Sequence, residues 1–457
     1  MHTQKIHFIA IGGSAMHNLA IALHLKGYQV SGSDDEIFDP AKSRLAKYHL
    51  LPQNEAWDPS RITPDLEAII LGMHAKADNP ELLRAQELGL KIYSYPEFLY
   101  EQSKDKTRIV IGGSHGKTSI TAMILHVLQH LQIPCDYMVG AQLDGFEVMV
   151  KLTQEAPYML LEGDEYLTSP IDRRPKFHLY KPHIAVINGI AWDHINVFPT
   201  FPIYVEQFKI FADSLMPNAS LFYYEGDSQA KQIGEQSRSD IKSSGYTYLP
   251  YSVKNGVTYI EYLGKQYPLQ IFGQHNMQNL AAAWNVCQQI GIDGKQFLES
   301  IQSFKGASKR LELVASNEHA VVYKDFAHSP SKLEATIKAM KEQYPQRHLV
   351  AAMELHTFSS LREDFLEHYA HCMDLADTAI VYFNPAAVAH KNLALITKEM
   401  VVKAFKRPDL LVFDQSLALC SFLEQQVWNE QNLLWMSSGN FDGINEKELA
   451  YKLLDLH

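Results

Sequence analysis

The sequence predicts an α/β protein built as three consecutive units, and three observations carry that reading. A chain of 457 residues has room for about three domains of ordinary size. Short apolar runs alternate with helical patterns along most of it, as in parallel sheets with crossover helices. The alternation is broken near 105 and near 306, and a fresh strand follows each break. The expected units are therefore 1–105, 106–305 and 306–457.

In the first unit the apolar runs are KIHFIAIG at 5–12, YQVSGSD at 28–34, AIILGM at 68–73 and LKIYSY at 90–95. A polar stretch, EQSKDKTR at 101–108, precedes IVIGG at 109–113, which opens the second unit. That unit continues with YMLLEGDE at 158–165, HIAVINGI at 183–190 and SLFYYEG at 220–226. A Ser- and Lys-rich piece at 236–245 and short strands at 246–272 follow. After FKGASKR at 304–310 the third unit runs through AVVYKDF at 320–326, LVAAME at 349–354, TAIVYF at 378–383, LLVFD at 410–414 and LLWMSS at 433–438. No internal repeat or low-complexity tract interrupts the series.

Composition excludes several classes. With 46% hydrophobic and 20% charged residues the chain is neither disordered nor fibrous. Its 52 acids against 41 bases leave −11, which argues against a nucleic-acid protein held by bulk charge. A local basic pocket for a phosphorylated small molecule stays open. Cys135, Cys287, Cys372 and Cys420 form no CxxC pair, which fits reduced thiols in the cytosol. The N-terminus enters a strand without a signal-peptide pattern, and no stretch reaches the ~18 apolar residues of a membrane helix. A soluble, cytoplasmic, multidomain protein without membrane insertion is expected.

The first strand runs into Gly12-Gly13-Ser14-Ala15-Met16 and then a helix. Backbone amides and the helix dipole at such a turn can hold a phosphate. Ala10 and Ala15 stand where the dinucleotide fingerprint has its outer glycines, so a plain tight turn is the other reading. On the Rossmann plan, Ser33 and Asp34 at the end of the next strand would lie near a nucleotide's base or ribose.

The second unit carries the stronger signal. Gly113-Ser114-His115-Gly116-Lys117-Thr118-Ser119 follows a strand and begins an amphipathic helix, the setting of a phosphate loop. Its amides would cradle ATP phosphates, Lys117 would neutralise β/γ charge, and Thr118 would ligate Mg²⁺. Such a loop needs a metal-binding acid at a neighbouring strand end; Glu162 is first in the run Glu162, Asp164, Glu165. Asp193 and His194 stand just past another buried strand, where the ligand crevice of a parallel sheet opens, and a metal or substrate role is expected for His194. Asn276 and Asn279 lie three apart on one helix face, as amides reading an adenine edge or, for Asn276, as a helix cap. Arg310 would close over a γ-phosphate and Asp325 would bind ribose hydroxyls.

Taken in order, IAIGGSAM with GSD, GSHGKTS, EGDE, DH, HNMQN, and KR with DFAHSP resemble the Mur ligase family over essentially the whole chain. The resemblance implies a Rossmann-like N-terminal domain for a UDP-sugar and a central P-loop ATPase domain. It also implies a Rossmann-like C-terminal domain that closes over ATP and takes the acceptor peptide. It implies an ATP-dependent ligase that forms an amide through an acyl phosphate, with Thr118, Glu162 and His194 holding Mg²⁺. Gly12, Gly13, Ser14 and Met16 would hold the UDP diphosphate, with Ser33 and Asp34 near the uridine. In several members a lysine about fifteen residues after the metal-site histidine forms a carbamate; Lys209 stands there, and a surface helix lysine is the other reading.

The N-terminal turn resembles the branch that loads UDP-N-acetylmuramic acid. One enzyme of that branch adds L-alanine; another attaches the tripeptide L-Ala-γ-D-Glu-meso-diaminopimelate for cell-wall recycling. EGDEYLTSPIDRRPKFHLYKP at 162–182 and MSSGNFDGI at 436–444 resemble the tripeptide enzyme, and LHTFSSL at 355–361 resembles the alanine enzyme. The tripeptide is the expected acceptor and L-alanine the alternative. Arg173, Arg174 and Lys176 are candidates for orienting the acidic sugar or peptide, with a solvated charge run as the other reading; His328, His356 and Asn440 are candidates for the peptide pocket. An NAD-type dehydrogenase would leave the phosphate loop unexplained, and a non-catalytic UDP-sugar sensor would have lost Lys117 or Glu162. A generic P-loop ATPase or kinase would give no reason for HNMQN.

Overall fold

The computed structural model describes residues 4–140, 146, 148–192, 197–254, 256–307 and 310–456, and these form four sheets. The first contains β1 (Lys5–Ile9), β2 (Gln29–Ser33), β3 (Ala68–Leu71) and β4 (Ile92–Ser94), all parallel in the order β2-β1-β3-β4. Strands covered on both faces read as apolar runs, and β3 is buried at all four positions. The chain leaves β1 toward β2 and leaves β3 in the opposite direction toward β4. That reversal opens a crevice at the carboxyl ends of β1 and β3, where the glycine turn lies.

The second sheet contains β5 (Thr107–Gly112), β6 (Cys135–Met138), β7 (Val150–Lys151), β8 (Tyr158–Glu162), β9 (Ile184–Ile187), β10 (Ser220–Tyr224) and β11 (Lys242–Tyr246). Its order is β11-β10-β9-β5-β8-β6-β7, parallel except for the β6–β7 pair. Central β5 lies between β8 and β9, so the segments that follow these three strands open at one edge. Strand β11 falls in the piece read from sequence as Ser- and Lys-rich: KSSGY is an edge strand with only Tyr246 buried, so it carries no apolar run. β6 also went unmarked, because CDYM is too short to show a period.

The polar stretch at 101–108 is a structural joint. Arg108 is 2% exposed and donates to the Tyr180 carbonyl (2.8 Å) and the Ser103 carbonyl (2.8 Å). Lys106 donates to the Ala156 carbonyl at 2.7 Å and pairs with buried Asp136 at 3.2 Å. Buried cations of this kind are tolerated because their donors meet carbonyl and carboxylate oxygens.

The third sheet is antiparallel, β12 (Tyr251–Lys254), β13 (Val257–Tyr262) and β14 (Lys265–Leu269). The fourth contains β15 (Glu312–Ser316), β16 (Val321–Asp325), β17 (His348–Leu355), β18 (Thr378–Phe383), β19 (Leu411–Phe413) and β20 (Gln431–Met436). Its order is β15-β16-β20-β17-β18-β19, parallel beyond the β15–β16 hairpin. The chain divides into two compact units, 1–247 with 282–291, and 248–281 with 292–457. No helix among the described residues is long and apolar enough to cross a membrane.

One buried polar knot fixes the first sheet. Glu81, fully buried, accepts the Asp58 amide (2.8 Å) on one oxygen and the Ser33 hydroxyl on the other, with His7 Nε2 at 3.4 Å. The other ring nitrogen of His7 meets the Ser31 hydroxyl at 2.9 Å. Glu81→Ala strands the buried Ser33 and His7 side chains and the half-buried Asp58 amide, so we expect it to lower unfolding free energy by about 2–4 kcal/mol in urea titration. A loss below about 1 kcal/mol would show that the knot is dispensable.

Candidate active site

The first glycine turn is closed by a carboxylate from the neighbouring strand. Asp34 Oδ2 accepts the Gly12 amide at 2.7 Å, and a side chain at Gly12 would begin 2.9 Å from that oxygen, so only glycine fits. Burial, opposed by the Gly12 amide, raises Asp34 to about 6. The helix Ser14–Leu25 starts with Gly13 as its N-cap and no side-chain cap, which leaves its first amides facing the turn. Met16 is buried, so it can meet a ligand only through its backbone. Ser33 differs from the sequence expectation: its hydroxyl is buried and donates to Glu81 rather than lining the crevice. Behind the turn, His17 Nδ1 donates to the Gly13 carbonyl (2.9 Å) and its Nε2 accepts from Asn18 (2.9 Å). Asn18 also donates to the Ser14 carbonyl (2.8 Å) and accepts the Met149 amide (3.0 Å). Burial, more than offsetting the Gly13 carbonyl, holds His17 below its ordinary value, so the neutral tautomer fits.

The phosphate loop lies between β5 and the helix Lys117–His130. Gly113 (φ 131°) and Gly116 (φ 78°, the helix N-cap) take backbone conformations that disfavour side chains, which is why the motif puts glycine there. Lys117 Nζ donates to the Gly113 carbonyl at 2.9 Å and to Glu165 Oε2 at 2.8 Å. Burial pulls this ammonium down, but Glu165, Asp164 and Glu162 outweigh it and raise Lys117 above its ordinary value. Ser114 is buried; its amide donates to the Gly189 carbonyl and its hydroxyl accepts the Ala191 amide, both at 3.0 Å. His115 passes its carbonyl to the Asn188 amide group at 3.2 Å. Ser119 is buried in the first helical turn.

β8 delivers Glu162 beside the loop, in register with Ile111 of β5. One oxygen accepts the Thr118 hydroxyl at 3.1 Å and the Gly140 amide; the other, Oε1, is buried without a hydrogen-bond partner. Burial first, then the neighbouring Asp164, raises Glu162 to about 7. A buried carboxylate oxygen without a donor, next to a threonine hydroxyl, is the donor set that a hard divalent cation takes. The pair fits Mg²⁺. Asp193 and His194 lie outside the described residues, as does Lys309.

The remaining candidates are distributed as follows. Lys176 pairs with Asp164 at 3.4 Å, Arg174 pairs with Asp172, and Arg173 is exposed. Lys209 is exposed: the helix Phe201–Asp213 buries Tyr204, Phe208, Phe211 and Ala212, and Lys209 falls outside that face. Of the two readings of Lys209, this exposed position is that of a surface helix lysine. In the second unit, Asn276 is not a cap: its amide donates to the Phe272 carbonyl at 2.9 Å from inside the helix Gln274–Gln289. Asn279 is buried one turn on. Asp325 ends β16 and accepts the Leu311 and Ala327 amides, each at 2.7 Å, while the Arg310 guanidinium lies over the Phe326 ring at 4.6 Å. Burial raises Asp325 despite Arg310. His328 bonds the Phe326 carbonyl at 2.8 Å. His356 Nδ1 lies 3.5 Å from buried Glu354, which also accepts the Phe441 amide (2.9 Å) and the Ser437 hydroxyl; exposed Asn440 caps the following turn.

Sequence reasoning missed Tyr204, Asn18 and His74, whose ring approaches Gly13. Tyr204 and Asn18 carry polar groups on buried helix faces, a signal visible in the helical period; His74 has none.

A phosphate loop on a parallel sheet with buried acids at the adjoining strand defines a nucleotide-dependent enzyme. The Mur ligase family, catalytic domain, matches residues 5–107; the Mur ligase middle domain matches 111–287; and the Mur ligase, glutamate ligase domain, matches 309–439. The chain belongs to the Mur ligase family and is an ATP-dependent ligase of peptidoglycan synthesis that forms amide bonds. The UDP-N-acetylmuramate–L-alanine ligase of Caldicellulosiruptor bescii is 31% identical over 88% of each chain. That of Carboxydothermus hydrogenoformans is 27% identical over 98% of this chain and 96% of its own. Among solved structures, a murein peptide ligase from Psychrobacter arcticus has TM-score 0.65 at 21% identity, covering 99% of each chain. The UDP-N-acetylmuramate–alanine ligase of Thermotoga maritima has TM-score 0.70 at 19% identity, over 99% of this chain and 98% of its own.

Glu162 has a stability signature. Between its ordinary value of 4.5 and about 7 the folded carboxyl keeps a proton that the unfolded chain has lost, so its contribution to stability falls as pH rises through that window. In chelator, Glu162→Gln is expected to melt above the parent at pH 8 and level with it near pH 4.5. Mg²⁺ should then raise the parent's melting temperature and leave the variant's unchanged. A variant no more stable at pH 8 would refute the raised value.

Proposed function

We propose that this chain joins UDP-N-acetylmuramic acid to the tripeptide L-Ala-γ-D-Glu-meso-diaminopimelate. The observation that carries the chemistry is the cluster of Lys117, Thr118 and Glu162, with its unpartnered carboxylate oxygen, on the phosphate loop. A carboxylate is a poor electrophile, so the muramoyl carboxylate first takes the γ-phosphoryl group of ATP; the peptide amine then displaces phosphate from the acyl phosphate. The protein's part is positioning and charge neutralisation. Lys117 neutralises the transferring phosphoryl group, and the loop amides of 113–118 orient it. Arg310 and Asp325 are assigned to the γ-phosphate and ribose, and Asn279 to the base. Thr118 and Glu162, together with His194, would hold Mg²⁺, which supplies positive charge to the phosphates when bound. The turn at Gly12, Gly13, Ser14 and Met16 receives the diphosphate through its amides, beside Asp34.

The tripeptide is favoured by the run at 162–182, which builds a bridged loop (Leu167 with Pro175) carrying Arg173 and Arg174, with Lys176 just beyond it beside Asp164. Those cations suit an acceptor with several carboxylates. A second reading, L-alanine as acceptor, is supported by relatives at 27–31% identity named UDP-N-acetylmuramate–L-alanine ligases and by LHTFSSL at 355–361.

Lys117→Ala should cut ATP-dependent phosphate release at least a hundredfold and leave the affinity for UDP-N-acetylmuramate within about twofold, read by calorimetry. Ligation at the parental rate would remove Lys117 from the mechanism. Phosphate release from UDP-N-acetylmuramate and ATP should depend on the tripeptide; release with L-alanine alone would select the second reading.

A further inference from the structure

Tyr204 takes no part in the chemistry assigned above, yet it is fully buried, with its hydroxyl between the phosphate loop and the acids. Its place follows from helix period and packing. On the helix Phe201–Asp213, Tyr204, Phe208 and Phe211 share one face. Phe208 meets the Tyr204 ring edge-on (5.3 Å), and Phe211 stacks on Phe177 (4.7 Å) beneath Gly112. The rings anchor the helix under the loop, and the tyrosine oxygen projects to where two elements converge.

Proton counting gives the network one direction. Ionised Glu165 can only accept, so the Tyr204 hydroxyl spends its single proton on Glu165 Oε1, 3.2 Å away. The contact between Tyr204 and Ser114 hydroxyls (2.9 Å) must then run from Ser114 to Tyr204. Ser114 keeps a lone pair for the Ala191 amide. Glu165, oriented by Tyr204 through one oxygen, holds Lys117 through the other. The sequence of bonds is Ser114 to Tyr204 to Glu165, with Lys117 donating into its end.

We propose that Tyr204 is a positioning residue for phosphoryl transfer: its hydroxyl, held by the loop serine, orients Glu165 and so sets where the Lys117 ammonium waits for nucleotide. The proposal rests on the assignment of Lys117 to ATP. A misplacement of about an ångström in a charged group is enough to lose much of its effect on a transition state, which is why a residue out of reach of substrate can matter to rate. Because Tyr204 acts through Glu165, its contribution exists only while Glu165 is a carboxylate.

The test is a double-mutant cycle on the full chain, with ATP, UDP-N-acetylmuramate and whichever acceptor supports turnover. Tyr204→Phe keeps the ring packing and removes one oxygen. It is expected to lower kcat/KM for ATP about tenfold while KM for the UDP-sugar stays within about twofold. Glu165→Gln should lose at least as much, and the double variant should be no worse than Glu165→Gln alone. Multiplied losses, equal losses for both nucleotide and UDP-sugar, or unchanged kinetics in Tyr204→Phe would each overturn the proposal. If Tyr204→Phe does not fold, Ser114→Ala breaks the same network one bond earlier, and its additivity with Glu165→Gln decides in its place. Lys117→Ala separates the two failures: full activity there sinks the Lys117 assignment, whereas an inactive Lys117→Ala beside a normal Tyr204→Phe sinks only the positioning role.

Discussion

The ion pair between Lys117 and Glu165 is the interaction on which the rest of the site depends. Lys117 keeps only 15% of its side-chain surface and Glu165 keeps 1%, so neither charge is stable there without the other. Attraction between two charges withdrawn from water offsets the loss of hydration only when donor and acceptor are held in good geometry. The fold supplies that geometry from three directions. Parallel β5 and β8 put the loop and the acids at one edge, and the helix Phe201–Asp213 fixes the far side of Glu165 through Tyr204. The left-handed Gly116 starts the helix that carries Lys117.

The first glycine turn is tied to the same edge within the first unit. From the Gly13 carbonyl, hydrogen bonds run through His17 and Asn18 to the Met149 amide. The Met149 carbonyl accepts the Val139 amide, and the next residue, Gly140, donates to Glu162. The direction of each bond is dictated by chemistry. A carbonyl at Gly13 requires a proton on His17 Nδ1, which leaves Nε2 to accept from the Asn18 amide, so the Asn18 oxygen is free for Met149. A protonated His17 would point a second donor at Asn18. Burial disfavours that charge, and the linkage needs the neutral ring.

The motifs legible in the sequence are those in which one residue type has no substitute. Gly113, Gly116 and Lys117 are of that kind, since backbone conformation and charge each admit a single solution. What failed was the facing of side chains. Ser33 ends a strand whose two faces both carry polar groups, so period two does not reveal that its hydroxyl turns toward Glu81. Lys209 has apolar neighbours in sequence, but the 3.6-residue period that buries Tyr204, Phe208 and Phe211 excludes it from the packed face. Strand β11 was unreadable because an edge strand needs no apolar alternation. The Glu165–Tyr204 and Glu81–Ser33 contacts bridge 39 and 48 residues of sequence, beyond any local pattern.

Net charge, which argued only against nucleic acid, acquires a local meaning at the loop. Among the described residues, Glu165 is matched by Lys117 and Asp164 by Lys176, while Glu162 accepts only a hydroxyl and a backbone amide. Burial first, then Asp164, outweighs the pull of Lys117 and holds Glu162 up at about 7. The site is therefore balanced in the absence of ligand except at one carboxyl that a proton neutralises. A nucleotide triphosphate on this acidic edge would add several negative charges, more than Lys117 alone could offset. A divalent cation held by Glu162 and Thr118 would supply there the positive charge that the phosphates require. On the proposed reading, a chain carrying −11 would bind a polyanion through charge that enters with the ligand and is received at one prepared oxygen.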